Sequence, residues 1–310
     1  MRIVIMGAGG LGGYFGARLA AAGNDVAFVA RGAHLAAIKQ DGLRVESARG
    51  DLQLRDVLAT DDPGSLAPAD IVLFSVKLWD TETAAESIKP LIRPGTAVIS
   101  FQNGVRKEEV LSGILGPTAV MGGVGQIAVV IGRPGVIVHT GTMAKLTFGE
   151  LDGSRSARGE ALLATCQAAG VDAEFTDDIR TRLWEKFVFL TAMAGSTTTM
   201  RHAIGAIRAN PQTRGFLFDM IREGVAVARA LGIPLAEDHA ERTIAGVDRL
   251  PEQMTTSMHG DLQRGNRLEV PWLNGVMVEL GHQVGVPTPL NRAVSDILAL
   301  YANGGVSRVG

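Results

Sequence analysis

The sequence predicts an α/β fold: an N-terminal doubly wound parallel sheet followed by an all-helical C-terminal domain. Three observations predict it. Short apolar, β-branched runs alternate with helical patterns through the first half. A glycine-rich turn, Gly7 to Gly12, directly follows the first of those runs. Strand-like runs stop after Asp177, and helical patterns continue to the end.

Arg2 to Met6 is short and apolar, as suits a strand buried on both faces. Leu11 to Ala22 reads as a helix that stops at Gly23. Val26 to Ala30, Ala69 to Val76 and Thr96 to Phe101 read as further strands. An Ala- and Glu-rich helix, Asp80 to Lys89, lies between the last two. From about Val120 to Glu150 the pattern changes. Gly135 to His139 and Lys145 to Phe148 suggest an antiparallel extension. Ser154 to Ala169 reads as a helix and Val171 to Phe175 as a short strand. Helices are then expected at about 178–199, 211–231, 236–249, 255–264, 271–284 and 287–302. Gly232-Ile233-Pro234 and Gly285-Val286-Pro287 serve as stop signals between them. The boundary falls near residue 176, giving domains 1–176 and 177–310.

Composition narrows the function. The 310 residues carry 30 Lys and Arg against 32 Asp and Glu, a net charge of −2, so a generally basic nucleic-acid surface is excluded. Aromatics make up 5%, too few for base-stacking platforms. The single cysteine, Cys166, forms no internal disulfide. Its place in the apolar run ALLATCQAAG makes it a core residue, and the expected setting is a reducing cytoplasm. The N-terminus lacks the h-region of a signal peptide. The longest apolar stretch, Ala119 to Val138, is broken by Gln126, Arg133, Pro134 and several glycines, so no membrane span is expected. The six histidines show no metal-binding spacing, and no metal is expected.

Glycine is over-represented, with 39 residues. Its densest cluster, Gly7-Ala8-Gly9-Gly10-Leu11-Gly12, is a G-x-G-x-x-G between a strand and a helix. The first glycine permits a tight turn, the second a close approach by a pyrophosphate, and the third close packing of helix on strand. Amides of Gly7, Gly9, Gly10, Leu11 and Gly12 at the helix start would bind phosphate. This context predicts a Rossmann-type dinucleotide-binding domain over 1–176. An NAD-selective site usually carries Asp or Glu at the end of the second strand. Here Ala30 is followed by Arg31, which can pair with a 2′-phosphate, so NADP(H) is the expected cofactor.

Lys186 lies in Trp184-Glu185-Lys186-Phe187-Val188-Phe189-Leu190 and shares a helical face with Leu183, Leu190 and Met193. A lysine there must snorkel, pair or lose proton affinity; spacing alone favours snorkelling. Ser257 and Asp261 share a helix face at i, i+4, and Glu269 stands just before Pro271. Spacing alone reads these as an N-cap serine and surface acids. His259 reads as structural or solvent-facing.

The chain resembles the ketopantoate reductase family over almost its whole length. The matching residues occur in the family's order: Gly7 to Gly12, Arg31, Ser75-Val76-Lys77, Gln102-Asn103-Gly104-Val105, Trp184-Glu185-Lys186, Ser257-Met258, Asp261, Glu269 and Asn274-Gly275. The resemblance implies NADPH-dependent reduction of a 2-oxo acid, typically 2-dehydropantoate (ketopantoate) in pantothenate biosynthesis. It implies that Lys186 is the general acid and that Glu269 binds substrate or holds the lysine. It places Asn103 beside the lysine and nicotinamide, Ser257 on the substrate carboxylate and Lys77 near the cofactor. The implied partner is a small 2-oxo acid, with no nucleic acid or membrane; a homodimer stays open.

The sequence also departs from the family's pattern. Leu190, Ala194 and Met254 stand where the family usually carries Asn. The identity of the 2-oxo acid therefore stays open. The alternatives are a paralogous reductase for another 2-oxo acid or carbonyl compound, and a non-catalytic NADP-binding regulator.

Overall fold

In the computed structural model, which describes residues 1–305, the chain forms two compact units, Met1–Leu183 and a second beginning at Trp184. The strands of the first are β1 (Arg2–Met6), β2 (Asp25–Val29), β3 (Leu43–Ser47), β4 (Leu52–Leu54), β5 (Leu58–Thr60), β6 (Ile71–Phe74), β7 (Ala97–Ser100), β8 (Val120–Arg133), β9 (Val136–Glu150) and β10 (Asp172–Phe175). Its helices are α1 (Gly10–Ala21), α2 (Gly32–Asp41), α3 (Thr81–Ser87), α4 (Lys107–Leu115) and α5 (Ala157–Ala168). The sheet order is β4-β3-β9-β8-β7-β6-β1-β2-β5, with β10 on β9.

The parallel part, β5-β2-β1-β6-β7-β8, has the strand order of a Rossmann sheet. Its strands are apolar because both faces are covered. Ile3 and Ile5 of β1 enter one core cluster with Phe15, Leu19 and Phe28. Val4 and Met6 enter another with Phe74, Ala85 and Leu111. Side chains that alternate across a strand thus serve two layers of helices.

The changed pattern over 120–150 is a long antiparallel hairpin, β8 on β9, paired from Met121↔Glu150 to Arg133↔Val136. β9 also pairs in parallel with β3 and β10, so the sheet is mixed. The sequence pattern did not show β3, β4, β5, α2 or α4. β4 and β5 are only three residues long and β3 buries only Leu43 and Val45 fully, so these strands carry little pattern of their own and are defined by their sheet partners. Cys166 is fully buried inside α5.

The helix α6 (Ile179–Met200) runs through the division between the units. Beyond it lie α7 (Ile204–Ala209), α8 (Pro211–Ala230), α9 (His239–Val247), α10 (Ser257–Gln263), α11 (Val276–Val284) and α12 (Pro289–Leu298). A π-helical turn, Pro271–Gly275, leads into α11. The side chain of Asn210 caps α8 by accepting from the amides of Gln212 and Thr213. Glu223 of α8 accepts from the amides of Leu290 (2.8 Å) and Asn291 (3.0 Å), satisfying the start of α12. Leu217, Met220, Ile221 and Val225 of α8 form its buried stripe. Gly285, at φ 71°, ends α11 in the left-handed conformation that glycine adopts without cost.

Candidate functional site

The loop between β1 and α1 is the first candidate site. Gly7 takes φ 95°, a conformation open to glycine, and its amide and that of Ala8 donate to the Val29 carbonyl of β2. The loop carbonyls are held as well. Ser75 Oγ donates to Gly7 O (2.8 Å), and His34 Nε2 bonds Ala8 O (2.9 Å). The amide of Gly135 donates to His34 Nδ1 (3.1 Å), so the ring is neutral with its proton on Nε2. Burial pushes the imidazole pKa down, with the Ala8 bond opposing part of that shift.

With Gly7 and Ala8 thus tied, Gly10, Leu11 and Gly12 open α1. Gly9 is its N-cap, no side chain caps it, and its first turn holds no acid. A Cβ on Gly9 would meet nothing within 4 Å, whereas one on Gly12 would collide with the Gly7 carbonyl oxygen and Ser75 Oγ. Gly12 is therefore a packing glycine. Gly9 leaves backbone open beside amides that lack a helical partner, which fits the phosphates of a dinucleotide.

Arg31 is the N-cap residue of α2, and its guanidinium forms an ion pair with Asp80. Lys77 precedes the short 3₁₀ turn Leu78–Asp80, with its ammonium 5.5 Å from the centroid of the Trp79 ring. That turn is anchored by Gln102. Its amide nitrogen donates to Val76 O (3.0 Å) and Thr81 Oγ1 (2.8 Å), and Thr81 in turn donates to Leu78 O (2.7 Å). The next residue, Asn103, is half-buried in the segment that leads to α4. At the start of α4, Lys107 is buried and bonded to Glu108, and its ammonium also reaches Gly123 O at 3.3 Å. Burial pushes the Lys107 amine pKa down, and Glu108 opposes this.

In the second unit, Lys186 is half-buried on α6. One and two turns further on are half-buried Leu190 and fully buried Ala194, neither of which offers a polar side-chain atom. Glu269 is buried on the segment that enters the π-helical turn. Its backbone is fixed on both sides: the Leu268 amide donates to Ala302 O (2.9 Å), and the amides of Trp272 and Leu273 donate to Glu269 O. Such π segments recur at functional sites.

Ser257 is exposed and opens α10, but Thr256 provides the cap by accepting from the His259 amide (3.3 Å), which corrects the N-cap reading of the serine. Asp261 is buried rather than at the surface, accepting from Arg264 Nη2 (2.9 Å) and Asn266 Nδ2 (3.1 Å). His259 is structural: it is buried, and its Nδ1 donates to the Thr197 carbonyl (2.8 Å).

The structure thus gathers the glycines, Arg31 and Lys77 at the carboxyl ends of the parallel strands, where open α/β sheets bind ligands. Lys186, Ser257 and Glu269 belong to the helical unit. Sequence reasoning missed the supporting roles of Ser75, His34, Gln102 and Asp80. Their partners lie 21 to 68 residues away in the chain, and no short-range pattern signals them.

These features define a Rossmann-type α/β unit joined to a helical one. Family models match both parts: Ketopantoate reductase PanE/ApbA over residues 3–153, and its C-terminal domain over residues 178–302. The chain belongs to the ketopantoate reductase family. It is 34% identical over 337 residues to a 2-dehydropantoate 2-reductase of Mesorhizobium japonicum, covering 99% of each chain. The crystal structure of a PanE/ApbA family ketopantoate reductase from Ralstonia eutropha superposes with a TM-score of 0.89. That match has 34% identity and covers 97% of this chain and 98% of the other. A D-mandelate dehydrogenase solved with NADH and anilino(oxo)acetate shares the fold, with a TM-score of 0.89 at 20% identity, covering 97% and 98% of the two chains. Among the described residues no helix is long and apolar enough to cross a membrane.

Proposed function

We propose that this chain reduces a 2-oxo acid to its 2-hydroxy acid with NADPH in the cytoplasm, 2-dehydropantoate being the leading substrate. The observation that carries the reading is the loop at Gly9, where open backbone and uncapped amides follow β1, the strand paired directly with the β2 strand that leads to Arg31. Gly9 and the amides of Gly10 and Leu11 at the helix start hold the pyrophosphate, Gly7 and Gly12 shape and pack the turn that presents them, and Arg31 holds the 2′-phosphate. Lys77 and Asn103 serve the rest of the cofactor. When bound, the nicotinamide supplies the hydride.

The protein's own task is the carbonyl oxygen. As the carbonyl carbon gains a hydride, negative charge builds on that oxygen. The Lys186 ammonium stabilises the charge and gives up a proton to form the hydroxyl. Glu269 orients the lysine or the substrate, and Ser257 binds the substrate carboxylate.

A second reading, a paralogue acting on a different 2-oxo acid, is favoured by Leu190 and Ala194, which offer no side-chain hydrogen bond along the Lys186 face. The test is NADPH oxidation against a panel of 2-oxo acids that includes ketopantoate. Turnover of ketopantoate above the others supports the first reading, and turnover of another acid above ketopantoate supports the second. No oxidation with any of them would overturn both.

A further inference from the structure

β2 and β6 both pair in parallel with β1, one on each side of it. Arg31 follows β2 and Asp80 follows β6. Their ion pair therefore forms beyond the carboxyl end of β1, where the Gly7–Gly12 loop begins. The guanidinium is 78% exposed and the carboxylate only 25%. Asp80 is thus the better fixed of the two. Its turn is closed by its own amide donating to Lys77 O (2.9 Å) and is anchored by Gln102 through Thr81.

We infer that Asp80 is a specificity-determining residue that narrows the cofactor preference Arg31 creates. The inference rests on the reading of Arg31 as the 2′-phosphate partner. A 2′-phosphate reaching Arg31 shares the guanidinium with a carboxylate held in place beside it, and like charges then repel. A ribose 2′-hydroxyl meets no such repulsion, and a carboxylate can accept its proton in a hydrogen bond. Asp80 therefore works against NADPH and not against NADH. With Arg31 alone the preference would be wide; with the pair it is moderate.

The test is a set of dissociation constants for NADPH and NADH, measured by titration calorimetry without substrate. The proteins are wild type, Asp80→Asn, Asp80→Glu and Arg31→Ala. Asp80→Asn is isosteric and should tighten NADPH about five- to tenfold, the scale of one unit repulsion in a largely solvated setting. Its NADH affinity should stay equal or fall, and Asp80→Glu should behave as wild type. Equal changes for both cofactors, or none, would overturn the inference while leaving Arg31 standing. A wild-type NADPH-to-NADH ratio in Arg31→Ala would instead overturn the Arg31 reading, and the inference with it.

Discussion

In the first unit the candidate ligand meets backbone: an uncapped helix start, a glycine whose missing Cβ leaves open space, and carbonyls tied back by Ser75 and His34. In the second unit the candidate groups are side chains, Lys186, Ser257 and Glu269, standing on or between helices. The two designs fail in opposite ways. A backbone site is damaged by adding atoms, and a side-chain site by removing them.

The largest effect is expected where a side chain carries a proton. Lys186→Ala should lower kcat by about 10²–10⁴, the usual worth of a general acid. NADPH should still bind, because the cofactor residues belong to the other unit. Single-turnover kinetics together with an NADPH titration separate the two effects. Near wild-type turnover at saturating substrate would reduce Lys186 to a snorkelling residue.

Adding a methyl group to the backbone site should give two different failures a few residues apart. Gly12→Ala places a Cβ against the Gly7 carbonyl and Ser75 Oγ, and 2.8 Å from Ile5 Cγ2, with no flexible neighbour to yield. Overpacking of this kind costs about 1–3 kcal/mol or more, so Tm should fall by several degrees. Gly9, at φ −72°, can accept alanine, and its Cβ meets nothing. Gly9→Ala should keep the wild-type Tm and weaken NADPH binding about tenfold or more, since the methyl occupies phosphate space. Thermal melts and titrations on both variants decide it. A Gly9→Ala protein with unchanged affinity would move the phosphates elsewhere.

The contrast also explains what was legible in the sequence. The Gly7–Gly12 loop announces itself because a backbone site needs glycines at fixed offsets within one strand–turn–helix unit. The two-layer burial of β1 is readable from its unbroken apolar run. The helical unit announces its helices but not its chemistry, since a lysine on an apolar helix looks the same whether it snorkels or reacts. Only the ordered family resemblance separated those readings. What stayed hidden depends on long-range closure: the short strands β3 to β5, the Gln102–Thr81 anchor, and the Asp80 partner of Arg31.

A smaller effect is expected from what the side-chain site lacks. With Leu190 and Ala194 in place of carboxamides, hydrogen-bonding capacity along the Lys186 face is reduced. An apolar pocket rejects a substrate lacking a hydroxyl only weakly. Ketopantoate and its 4-deoxy analogue should therefore differ in kcat/KM by no more than about tenfold, and Leu190→Asn should widen that gap by about tenfold, the worth of one hydrogen bond. A wild-type preference for ketopantoate of several orders of magnitude would show that other groups in the helical unit read the hydroxyl, and the paralogue reading would then be dropped.

The smallest effect tests whether the backbone site depends on side-chain support. His34 is the only one of the two supports, Ser75 and His34, that titrates near neutral pH. Its Nε2 proton goes to Ala8 O, and its Nδ1 lone pair accepts from the Gly135 amide. Burial holds its folded-state pKa below the ordinary value of 6.5, so the unfolded chain takes up the proton first as pH falls. Stability from the neutral ring is thus fully present above about pH 6.5 and is lost as pH falls toward and through the lowered pKa. Protonation also turns Nδ1 from acceptor to donor, facing the Gly135 N–H, so that bond is lost and the loop loosens. The cost is about 1 kcal/mol or less, that of one neutral hydrogen bond. Between pH 7 and 5, the wild type should lose about 2 °C more in Tm than His34→Gln, whose amide keeps one donor and one acceptor without titrating. NADPH affinity should follow the same profile, wild type weakening more than the variant. Parallel profiles for the two proteins would show that the glycine loop holds its shape without the histidine.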